Sequence, residues 1–502
     1  IEGEVYLDYE TVVENFNHRF YWDQNEEKLI YTTPTEIITA EVDSNEYWIE
    51  AEEKKAHTTE QPIVRKVSEM VYLSLGFIEE HSDLRSEFYE GPNRLVIHYR
   101  WGDYLYTKVS KETQLRLEAN IKSPILQDLA VGEELFYVDL DKAPKRGFSK
   151  VITKEGVIGF VKNNALEQSN YMELKSSFDQ PKYTSQTIDE DINLVFHQVF
   201  NSSGAEELED LLSHTKGVNV ISPTWFSIVD NEGTFTSLAS KEYMKKARDL
   251  DLQVWALIDD FSLDVDMLEV LSYTSKREGL IKALMDKVDK YDLDGINIDF
   301  ERIQPDTGLH FIQFLRELSV KCRNEEIILS VDNFVPPFKK HYNRQEQGKI
   351  LDYIILMAYD EHYAGSEAAG PNASIGFVED AARNIIEEAP KEKVIMAIPF
   401  YTRLWKETAD GSASRESDLA MTPAFEWIEE NGIEKVWDDV YGSYYAEVKK
   451  DGATYKMWLE ESKSIEEKMK VIVDGDFAGV AAWKLGLETP EVWDVIDEYI
   501  NK

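Results

Sequence analysis

The sequence has little of what a disulfide-bonded, nucleic-acid-binding or membrane-spanning protein needs. Cys322 is the one cysteine among 502 residues, so an internal disulfide is excluded. Lysine and arginine number 54 against 96 aspartates and glutamates, which gives a net charge of −42. Nucleic acids and anionic membranes demand clustered basic side chains, so this balance argues against both as partners. No run of 18 apolar residues occurs, and we therefore predict no membrane span.

Motifs for metal or nucleophile chemistry are also missing. The sequence has neither a His-Glu-x-x-His motif nor a cysteine pair, so we predict no metal site and no cofactor. The scattered histidines His197, His310, His341 and His362 are interpreted as structural or surface residues. A Gly-x-Ser-x-Gly elbow is lacking, which argues against a Ser-His-Asp triad. Cys322 follows an apolar helical pattern, and we interpret it as a packed residue rather than a nucleophile.

The bulk composition is that of a folded, multidomain chain. Apolar residues make up 43% and aromatic residues 12%, enough for sizeable cores. The length allows about three domains, one of which could be a barrel of about 250 residues. Because the sequence begins at Ile1 rather than Met, we expect it to be a trimmed fragment, from which any upstream signal peptide or membrane anchor would already have been removed. The low cysteine content is compatible with the cytosol and with export by anaerobic bacteria.

Residues 291–301 form the stretch with the most informative pattern. Polar Asn297, Asp299 and Glu301 alternate with apolar residues, the period of two that is typical of a β-strand. The three polar side chains would project from one face of the strand, with Glu301 at its C-terminal end. Burying such a ladder is costly unless it performs chemistry or binds a metal. The alternative is an edge strand with one solvated face.

This stretch, Asp294-Gly-Ile-Asn297-Ile-Asp299-Phe-Glu301, resembles the Asp-x-x-Asp-x-Asp-x-Glu signature of glycoside hydrolase family 18, the chitinase-like barrels. The resemblance implies that the motif occupies the fourth strand of a barrel and that its glutamate is a general acid. The departure from the signature is Asn297, where most chitinases carry Asp. Relatives with Asn at this position include chitobiases and bacterial spore-cortex-lytic enzymes.

From Asp191 onward, strand-like segments alternate with helical ones, which predicts a parallel sheet covered by helices. Eight such strands are the number in a (β/α)8 TIM barrel, so the predicted fold class is α/β. The predicted strands are residues 193–200, 218–222, 253–258, 295–301, 327–331, 353–359, 394–399 and 479–483. The segment of about 402–462 is too long for a plain loop. It resembles the α+β insertion between strands seven and eight that deepens the groove of some chitinases.

Two smaller domains are predicted before the barrel. Residues 1–112 contain a weak repeat with an offset of 66, in which Val5-Tyr-Leu returns as Val71-Tyr-Leu. Each copy predicts a strand, a helix and a hairpin, and the pair resembles the N-terminal α+β domain of copper amine oxidases. We interpret it as a spacer or adhesion module, and chance similarity is the alternative.

Residues 113–167 resemble a bacterial SH3 domain, a small β-barrel in which 148–151 and 156–162 are paired closing strands. Such a barrel either holds cell-wall peptide or is inert. Residues 168–190 are predicted to be a linker, and 191–502 the hydrolase barrel.

The resemblance implies roles for individual residues. Glu301 is expected to act as acid and then as base, Asp299 to orient the acetamido group, and Asn297 to support Asp299 from below. The Tyr359 hydroxyl is expected to hold the N-acetyl group. The candidate catalytic residues are Glu301, Asp299, Asn297 and Tyr359, and the candidate substrate-binding residues are Asp294, Met357, Asp360, Tyr401, Arg403, Trp458 and Trp483.

Other groups at the predicted mouth have two interpretations. Trp483 is expected to form the floor on which a sugar stacks, and the alternative is a residue of the barrel core. Asp259, Asp260 and Asp332 follow strands three and five, on the correct side of the sheet. Most acids in such positions support a neighbour or are solvated, so a direct catalytic role is not assigned to them.

The function implied by the resemblance is retaining, substrate-assisted hydrolysis of β-linked N-acetylglucosamine (GlcNAc). Peptidoglycan or its fragments is the favoured partner, because wall-type modules precede the barrel and residues 357–374 and 398–405 resemble the cortex-lytic branch. A bacterial protein that is secreted or attached to the cell surface or wall is therefore expected. The alternatives are a hydrolase of chitin oligosaccharides or N-glycan cores, and a catalytically silent sugar-binding barrel, against which the presence of Glu301 argues.

Overall fold

The computed structural model describes residues 3–138, 147–201 and 203–501. The chain forms two compact units. One comprises Ile1–Tyr21, Ala40–Tyr47 and Thr58–Pro181, and the other comprises Trp22–Thr39, Trp48–His57 and Lys182–Lys502. Among the described residues, no helix has both the length and the apolar character required to cross a membrane.

The two copies of the N-terminal repeat have the same order of elements, 66 residues apart. The first copy contains strand Tyr6–Asp8 and helix Tyr9–Asn15, and the second contains strand Met70–Ser74 and helix Leu75–His81. The two strands pair antiparallel with Leu7 opposite Leu73, which are equivalent positions of the repeat. Each copy continues as a hairpin, Tyr21–Asp23 with Lys28–Thr32 and Arg85–Tyr89 with Arg94–His98. The predicted element order is present in both copies, and the relation to copper amine oxidases stays a prediction.

The remaining strands of this region form sheets of their own. Strands Ile37–Glu41, Glu46–Glu50 and Lys54–Thr58 extend the sheet of the first hairpin, and Val64–Val67 pairs with Met70–Ser74. A seven-stranded antiparallel sheet has the order Ile125–Leu129, Thr113–Arg116, Ile158–Lys162, Phe148–Thr153, Glu134–Tyr137, Gly102–Lys108 and Asn170–Leu174. The two predicted closing strands pair with each other. Gly102–Lys108 precedes the predicted SH3-like range and Asn170–Leu174 lies in the predicted linker, so this sheet is wider than the sequence pattern indicated.

The second unit contains a closed barrel of eight parallel strands, as the sequence predicts. The barrel strands are β1 (Ile192–His197), β2 (Val220–Ile228), β3 (Gln253–Asp259), β4 (Gly295–Asp299), β5 (Ile328–Phe334), β6 (Tyr353–Met357), β7 (Val394–Pro399) and β8 (Gly479–Trp483). Each strand pairs with the next, and β8 pairs with both β7 and β1, which closes the sheet. A short strand, Phe235–Ser237, folds back antiparallel on β2.

Helices cover the outside of this barrel. They are Gly204–Leu212, Lys241–Asp249, Met267–Leu271, Thr274–Tyr291, Gly308–Asn324, Arg344–Ile350, Ile375–Ile385, Ser462–Asp474 and Pro490–Ile500, with short 3-10 turns at Lys340–Tyr342 and Lys391–Lys393. A further 3-10 turn, Asn163–Ala165, belongs to the first unit. Local sequence sets several of their ends. Ser240 and Ser374 accept backbone N–H bonds of the first turn that follows each of them. Asp292 ends the long helix before β4 in the left-handed conformation, with φ of 57°.

Alternation along the strands separates two cores. Residues that point outward, such as Ile296 and Ile298, pack between the sheet and the helices. Residues that point inward, such as Trp255 and Leu257, fill the lower part of the barrel. Gly295 is required in that layer, because a Cβ there would lie 2.7 Å from the Trp255 ring. The lower interior is therefore closed by apolar packing, and polar inward residues are confined to the upper layers.

The predicted insertion has an α+β fold. Its strands are Tyr401–Glu407, Ala413–Ala420, Val436–Asp438, Ser443–Lys450 and Ala453–Leu459, and its helix is Met421–Glu430. The strands form one antiparallel sheet, and the helix covers an apolar cluster that includes Leu404, Ala424 and Met457. Because Tyr401 begins only one residue after β7 ends, the insertion extends directly from the C-terminal end of a barrel strand.

Candidate active site

The polar ladder of β4 points into the barrel. All five residues of β4 are buried, and the strand has a parallel neighbour on each side. Asn297 and Asp299 face the interior, while Ile296 and Ile298 face the helices. The alternative of an edge strand with one solvated face is therefore wrong, because β4 is a central strand without a wet face.

A cavity of about 360 Å³ opens above the ladder at the C-terminal ends of the strands. Seven of the candidate site residues line it: Asp299, Glu301, Met357, Tyr359, Asp360, Tyr401 and Trp483. Aromatic and hydroxyl side chains from other strands and from the loops after them complete its wall, among them Phe196, Phe200, Trp225, Ser227, Thr236 and Phe261. The mixture of carboxyl, hydroxyl and aromatic groups is suited to a sugar, which offers both hydroxyls and C–H faces.

Glu301 stands just beyond the end of β4, held by its backbone. Its N–H donates to Oδ1 of Asp260 at 2.9 Å, and the next N–H, of Arg302, donates to Oδ2 of Asp260 at 3.0 Å. Asp260 therefore fixes the chain at the point where the glutamate projects. Burial, followed by the charges of Asp260 and Asp360, raises the pKa of Glu301 to about 7, and the ammonium group of Lys339 opposes this increase. Glu301 can thus hold a proton near neutral pH.

Asp299 lies one layer deeper and is 4% exposed. It is the in-register neighbour of Asp259 on β3, whose carboxylate accepts from the Ser227 hydroxyl at 2.7 Å and from the Phe261 N–H. Burial raises the pKa of Asp299 well above its ordinary value, and neighbouring carboxyl groups raise it further, led by that of Asp332. A carboxyl group in these surroundings is a weak nucleophile but a well-fixed hydrogen-bonding partner.

Asn297 is completely buried, and its side chain has partners other than the one predicted. Its Nδ2 donates to Asp332 Oδ2 at 2.9 Å, and its Oδ1 accepts from the Ser330 hydroxyl at 2.7 Å. Both partners belong to β5. Asn297 therefore supports Asp332 directly, and its predicted contact with Asp299 is not among the hydrogen bonds of the described residues. The register of β4 against β5 is the physical reason, since it places Ser330 opposite Asn297.

The end of β6 contributes a second group of polar residues. Met357 and Tyr359 line the cavity, and burial raises the pKa of the Tyr359 phenol well above its ordinary value. Asp360 adopts φ of 58° and is about half exposed. Its Oδ1 accepts from the Tyr401 hydroxyl at 2.6 Å and from Arg403 at 3.1 Å. Arg403 is 5% exposed and does not line the cavity, so its position is that of a support for Asp360.

Trp483 ends β8 and forms one side of the cavity. Its ring centroid lies 5.4 Å from that of Phe196 on β1, and the indole is half-buried, so part of its face is accessible. Two phenylalanines stand farther out, Phe200 with 74% exposure and Phe261 with 47%. These exposed rings at the cavity are candidate sugar contacts that sequence reasoning missed. Only their position in the sequence could have indicated them, because each follows the end of a barrel strand.

Two candidate substrate-binding residues lie away from the cavity. Asp294 precedes β4, where its carboxylate accepts from Arg248 at 2.6 Å and from the Val254 N–H at 2.7 Å. At about 3.3 Å per residue of strand, the seven steps from Asp294 to Glu301 span about 23 Å. Trp458 is 8% exposed and packs against Tyr441 and Tyr445 inside the insertion. Neither has the position that substrate binding in this cavity requires.

Three acids to which the sequence analysis assigned no catalytic role lie at the site. Asp259 and Asp332 line the cavity beside Asp299, and Asp260 holds the backbone of Glu301. Among the described residues, no group of three or more His, Cys, Asp or Glu side chains is arranged to hold a metal ion. The charges of Asp332, Asp260 and Asp259 each raise the pKa of Asp299.

Comparison with known proteins agrees with this geometry. Residues 191–488 match the family model described as glycosyl hydrolases family 18. The cortical fragment-lytic enzyme of Bacillus subtilis (strain 168) is 25% identical over 257 residues, which are 48% of this chain and 57% of that protein. The chain spans less than two thirds of the first two curated relatives that it matches.

Solved structures share the barrel fold. The Bacillus cereus spore cortex-lytic enzyme SleL aligns with a TM-score of 0.55 and 16% identity, over 66% of this chain and 77% of that one. A family 18 N-acetylglucosaminidase from Paenibacillus barengoltzii aligns with a TM-score of 0.52 and 20% identity, over 62% of this chain and all of that one. The family model covers more than half of the sequence and spans all eight barrel strands. The chain belongs to family 18 of the glycosyl hydrolases.

Proposed function

We propose that the protein is a glycosidase that cleaves β-linked GlcNAc in peptidoglycan or its fragments, with retention of configuration. The observation that carries this proposal is the pairing of a protonatable Glu301 at the cavity with a buried Asp299 beneath it. Relatives that are named for the spore cortex favour peptidoglycan as the substrate. A secreted or wall-associated location follows from that substrate and is part of the proposal.

The first step uses Glu301 as an acid. Its carboxyl proton passes to the glycosidic oxygen while the bond from that oxygen to the anomeric carbon breaks. The carbonyl oxygen of the substrate's own acetamido group bonds to the anomeric carbon and gives a cyclic oxazolinium ion. Family 18 is a known exception to the use of two carboxylates in glycoside hydrolysis. Asp299 accepts the acetamido N–H and stabilises the positive charge that develops, and Tyr359 holds the acetamido oxygen.

The second step returns the proton to Glu301. Its carboxylate removes a proton from water, the water oxygen bonds to the anomeric carbon, and the oxazolinium ring opens to restore the acetamido group. Two displacements at one carbon leave the configuration unchanged.

The surroundings of the other acids support the substrate as the source of the nucleophile. A protein nucleophile must be ionised, yet burial raises the pKa of Asp259, Asp299 and Asp332. Asp360 is exposed, but one of its oxygens is occupied by Tyr401 and Arg403. Burial thus disfavours the ionised form of these three acids, and the exposed Asp360 is engaged by Tyr401 and Arg403.

The test is digestion of purified peptidoglycan, with mass analysis of the reducing ends that are released. Free GlcNAc reducing ends, absent with Glu301→Gln and present with the exposed control Glu392→Gln, are the expected result. The rate with Glu301→Gln should fall by about 10²–10⁴. Reducing ends of N-acetylmuramic acid would identify a muramidase instead. Hydrolysis of chitin oligosaccharides alone would reject peptidoglycan, and binding without hydrolysis of any of these glycans would reject a glycosidase.

A further inference from the structure

The two carboxyl groups at the bottom of the cavity, Asp299 and Asp332, are neighbours across two strands. β4 and β5 pair with a constant offset of 33, from Gly295 opposite Ile328 to Ile298 opposite Val331. Continuing that register places Asp332 directly beside Asp299. Side chains in register on adjacent parallel strands point to the same face, and the strands are about 4.8 Å apart. The two side chains therefore share one corner of the cavity, and both are lining residues.

Each of these carboxyl groups has one oxygen without a hydrogen-bond partner. Asp332 Oδ2 accepts from Asn297, but Asp332 Oδ1 and Asp299 Oδ1 are buried and make no hydrogen bond within the described residues. Both side chains are 4% exposed. A buried carboxylate oxygen without a donor costs free energy, and two such oxygens on neighbouring acids cost more. One proton placed between them would satisfy both.

We infer that Asp299 and Asp332 share a single proton, which makes Asp332 a positioning residue for the acetamido-orienting Asp299. Asn297 has a defined part in this arrangement, because its amide holds Asp332 Oδ2 and leaves the buried Oδ1 as the oxygen that can share the proton with Asp299. The pair carries one negative charge in place of two, and the protonated member holds the other in one orientation. The link to catalysis, though not the shared proton, rests on the proposed function.

The titratable groups that surround the pair do not replace this proton. They are Asp259 and Asp260 after β3, Glu301 after β4, Lys339 and Tyr342 after β5, and Tyr359 after β6. Three of the six are acids, which disfavour a second negative charge at the pair. The one cation, Lys339, contacts the backbone carbonyl oxygens of Glu301 and Ile303. The surroundings therefore favour retention of the proton at neutral pH.

The first test measures proton retention through stability and needs no substrate. A native state that keeps a proton which the unfolded chain has lost becomes less stable as pH rises. The folding equilibrium constant of the wild type, divided by that of Asp332→Asn, should fall about tenfold per pH unit between pH 5 and pH 7. A ratio that does not change with pH, both for this variant and for the double variant with Asp299→Asn, would mean that both carboxyl groups are ionised in the wild type, and would overturn the inference.

Sharing is distinguished from two separate protons by the other single variant and the double variant. Asp299→Asn, and Asp299→Asn with Asp332→Asn, should each remove the same single-proton slope as Asp332→Asn. A double variant that removes twice that slope would show one proton on each acid and would refute sharing. If Asp332→Asn does not fold, Asp299→Asn supplies the comparison. The infrared band of a protonated carboxyl group in the wild type at pH 9, where Glu301 is ionised, is a further check, and its absence would also refute the inference.

The second test asks whether the proton positions Asp299 for catalysis. Asp332→Asn keeps a donor toward Asp299, so kcat with a chromogenic GlcNAc oligosaccharide should stay within about threefold of the wild type at pH 6. Asp332→Leu keeps the size without a donor, and kcat should fall by about 10²-fold because Asp299 is no longer oriented. Equal kcat values for these two variants would reject the positioning role. If the wild type hydrolyses no GlcNAc glycoside, the proposed function fails while the stability test of the pair still stands.

Discussion

The pH dependence of catalysis should be governed by Glu301, and two neighbouring charges should move it in opposite directions. The pKa of Glu301 is raised from 4.5 to about 7, first by burial and then by Asp260 and Asp360. That difference corresponds to about 3 kcal/mol in favour of the protonated form. Only the protonated form can donate to the glycosidic oxygen. Activity is therefore expected to be present below pH 7 and lost as the pH rises through the pKa of Glu301.

Substituting Asp360 or Lys339 should shift the alkaline limb of the pH–activity profile, where activity is lost as Glu301 ionises, in opposite directions. Asp360→Asn removes a negative charge, so ionisation of Glu301 becomes easier and the alkaline limb should move to lower pH. Lys339→Met removes the opposing positive charge, so the limb should move to higher pH. Each shift of the limb should be about 0.5–1 pH unit. This is smaller than the shift of about 1–3 pKa units that a close, desolvated charge produces, because Asp360 is partly solvated.

The assay is kcat/KM for a chromogenic GlcNAc oligosaccharide between pH 5 and pH 9, which reports the pKa of the free enzyme. Lys340→Met is the matched control, because Lys340 is the exposed neighbour of Lys339 in sequence, and its limb should stay at the wild-type position. Asp360→Asn is expected to lower the rate as well, through its contacts with Tyr401 and Arg403, but the limb is measured separately from the rate. Displacement of the limb in the same direction by Asp360→Asn and Lys339→Met would refute this electrostatic account.

Three further predictions address the mechanism and the fold. The first product should have the retained configuration by NMR, and the matching glucoside with a plain 2-hydroxyl group should be inert; rapid hydrolysis of that glucoside would exclude acetamido participation. Glu317→Gln breaks a buried ion pair with Arg277 and should lower the free energy of unfolding, measured by denaturant titration, by about 3–5 kcal/mol. The control Asp286→Asn breaks the exposed ion pair with Lys282 and should lower it by less than about 1 kcal/mol. Asp23→Ala removes the acceptor of the Thr274 N–H and O–H groups and should cost about 1–3 kcal/mol. An unchanged midpoint would show that this contact does not stabilise the second unit.

The barrel could be predicted from sequence because its strands have patterns that only a buried parallel sheet satisfies. Val394–Pro399 and Gly479–Trp483 are the predicted strands without any change of boundary. The ladder of β4 could be predicted for the same reason, since alternation along one strand is a local property. The hydrogen-bond partners of the ladder residues could not be predicted from sequence. Asn297 binds Asp332 because β4 and β5 pair with an offset of 33, and that register is decided by packing between distant segments.

Motif membership alone misled at Asp294, for a reason that strand geometry explains. A motif is contiguous in sequence, but a strand extends through the barrel from one end to the other. Asp294 and Glu301 are seven positions apart, so the first and last members of the motif reach opposite ends of the strand. Asp294 bonds to Arg248 and to the Val254 N–H, contacts that fix β3 against β4. Its place in the motif is therefore accounted for by assembly of the sheet that carries Asp299, and substrate contact is not needed to explain it.

The N-terminal repeat also shows that local sequence predicts secondary structure but not the packing around it. Lys28–Thr32 and Arg94–His98 are equivalent strands, 66 residues apart, and each forms the second arm of a hairpin. Four of the five residues in Lys28–Thr32 are buried, whereas all five in Arg94–His98 are only half-buried. The first strand belongs to the unit that contains the barrel, and the second does not. Similar local sequence thus produces the same secondary structure twice, and the burial of each copy is decided by what packs against it, which the repeat does not encode.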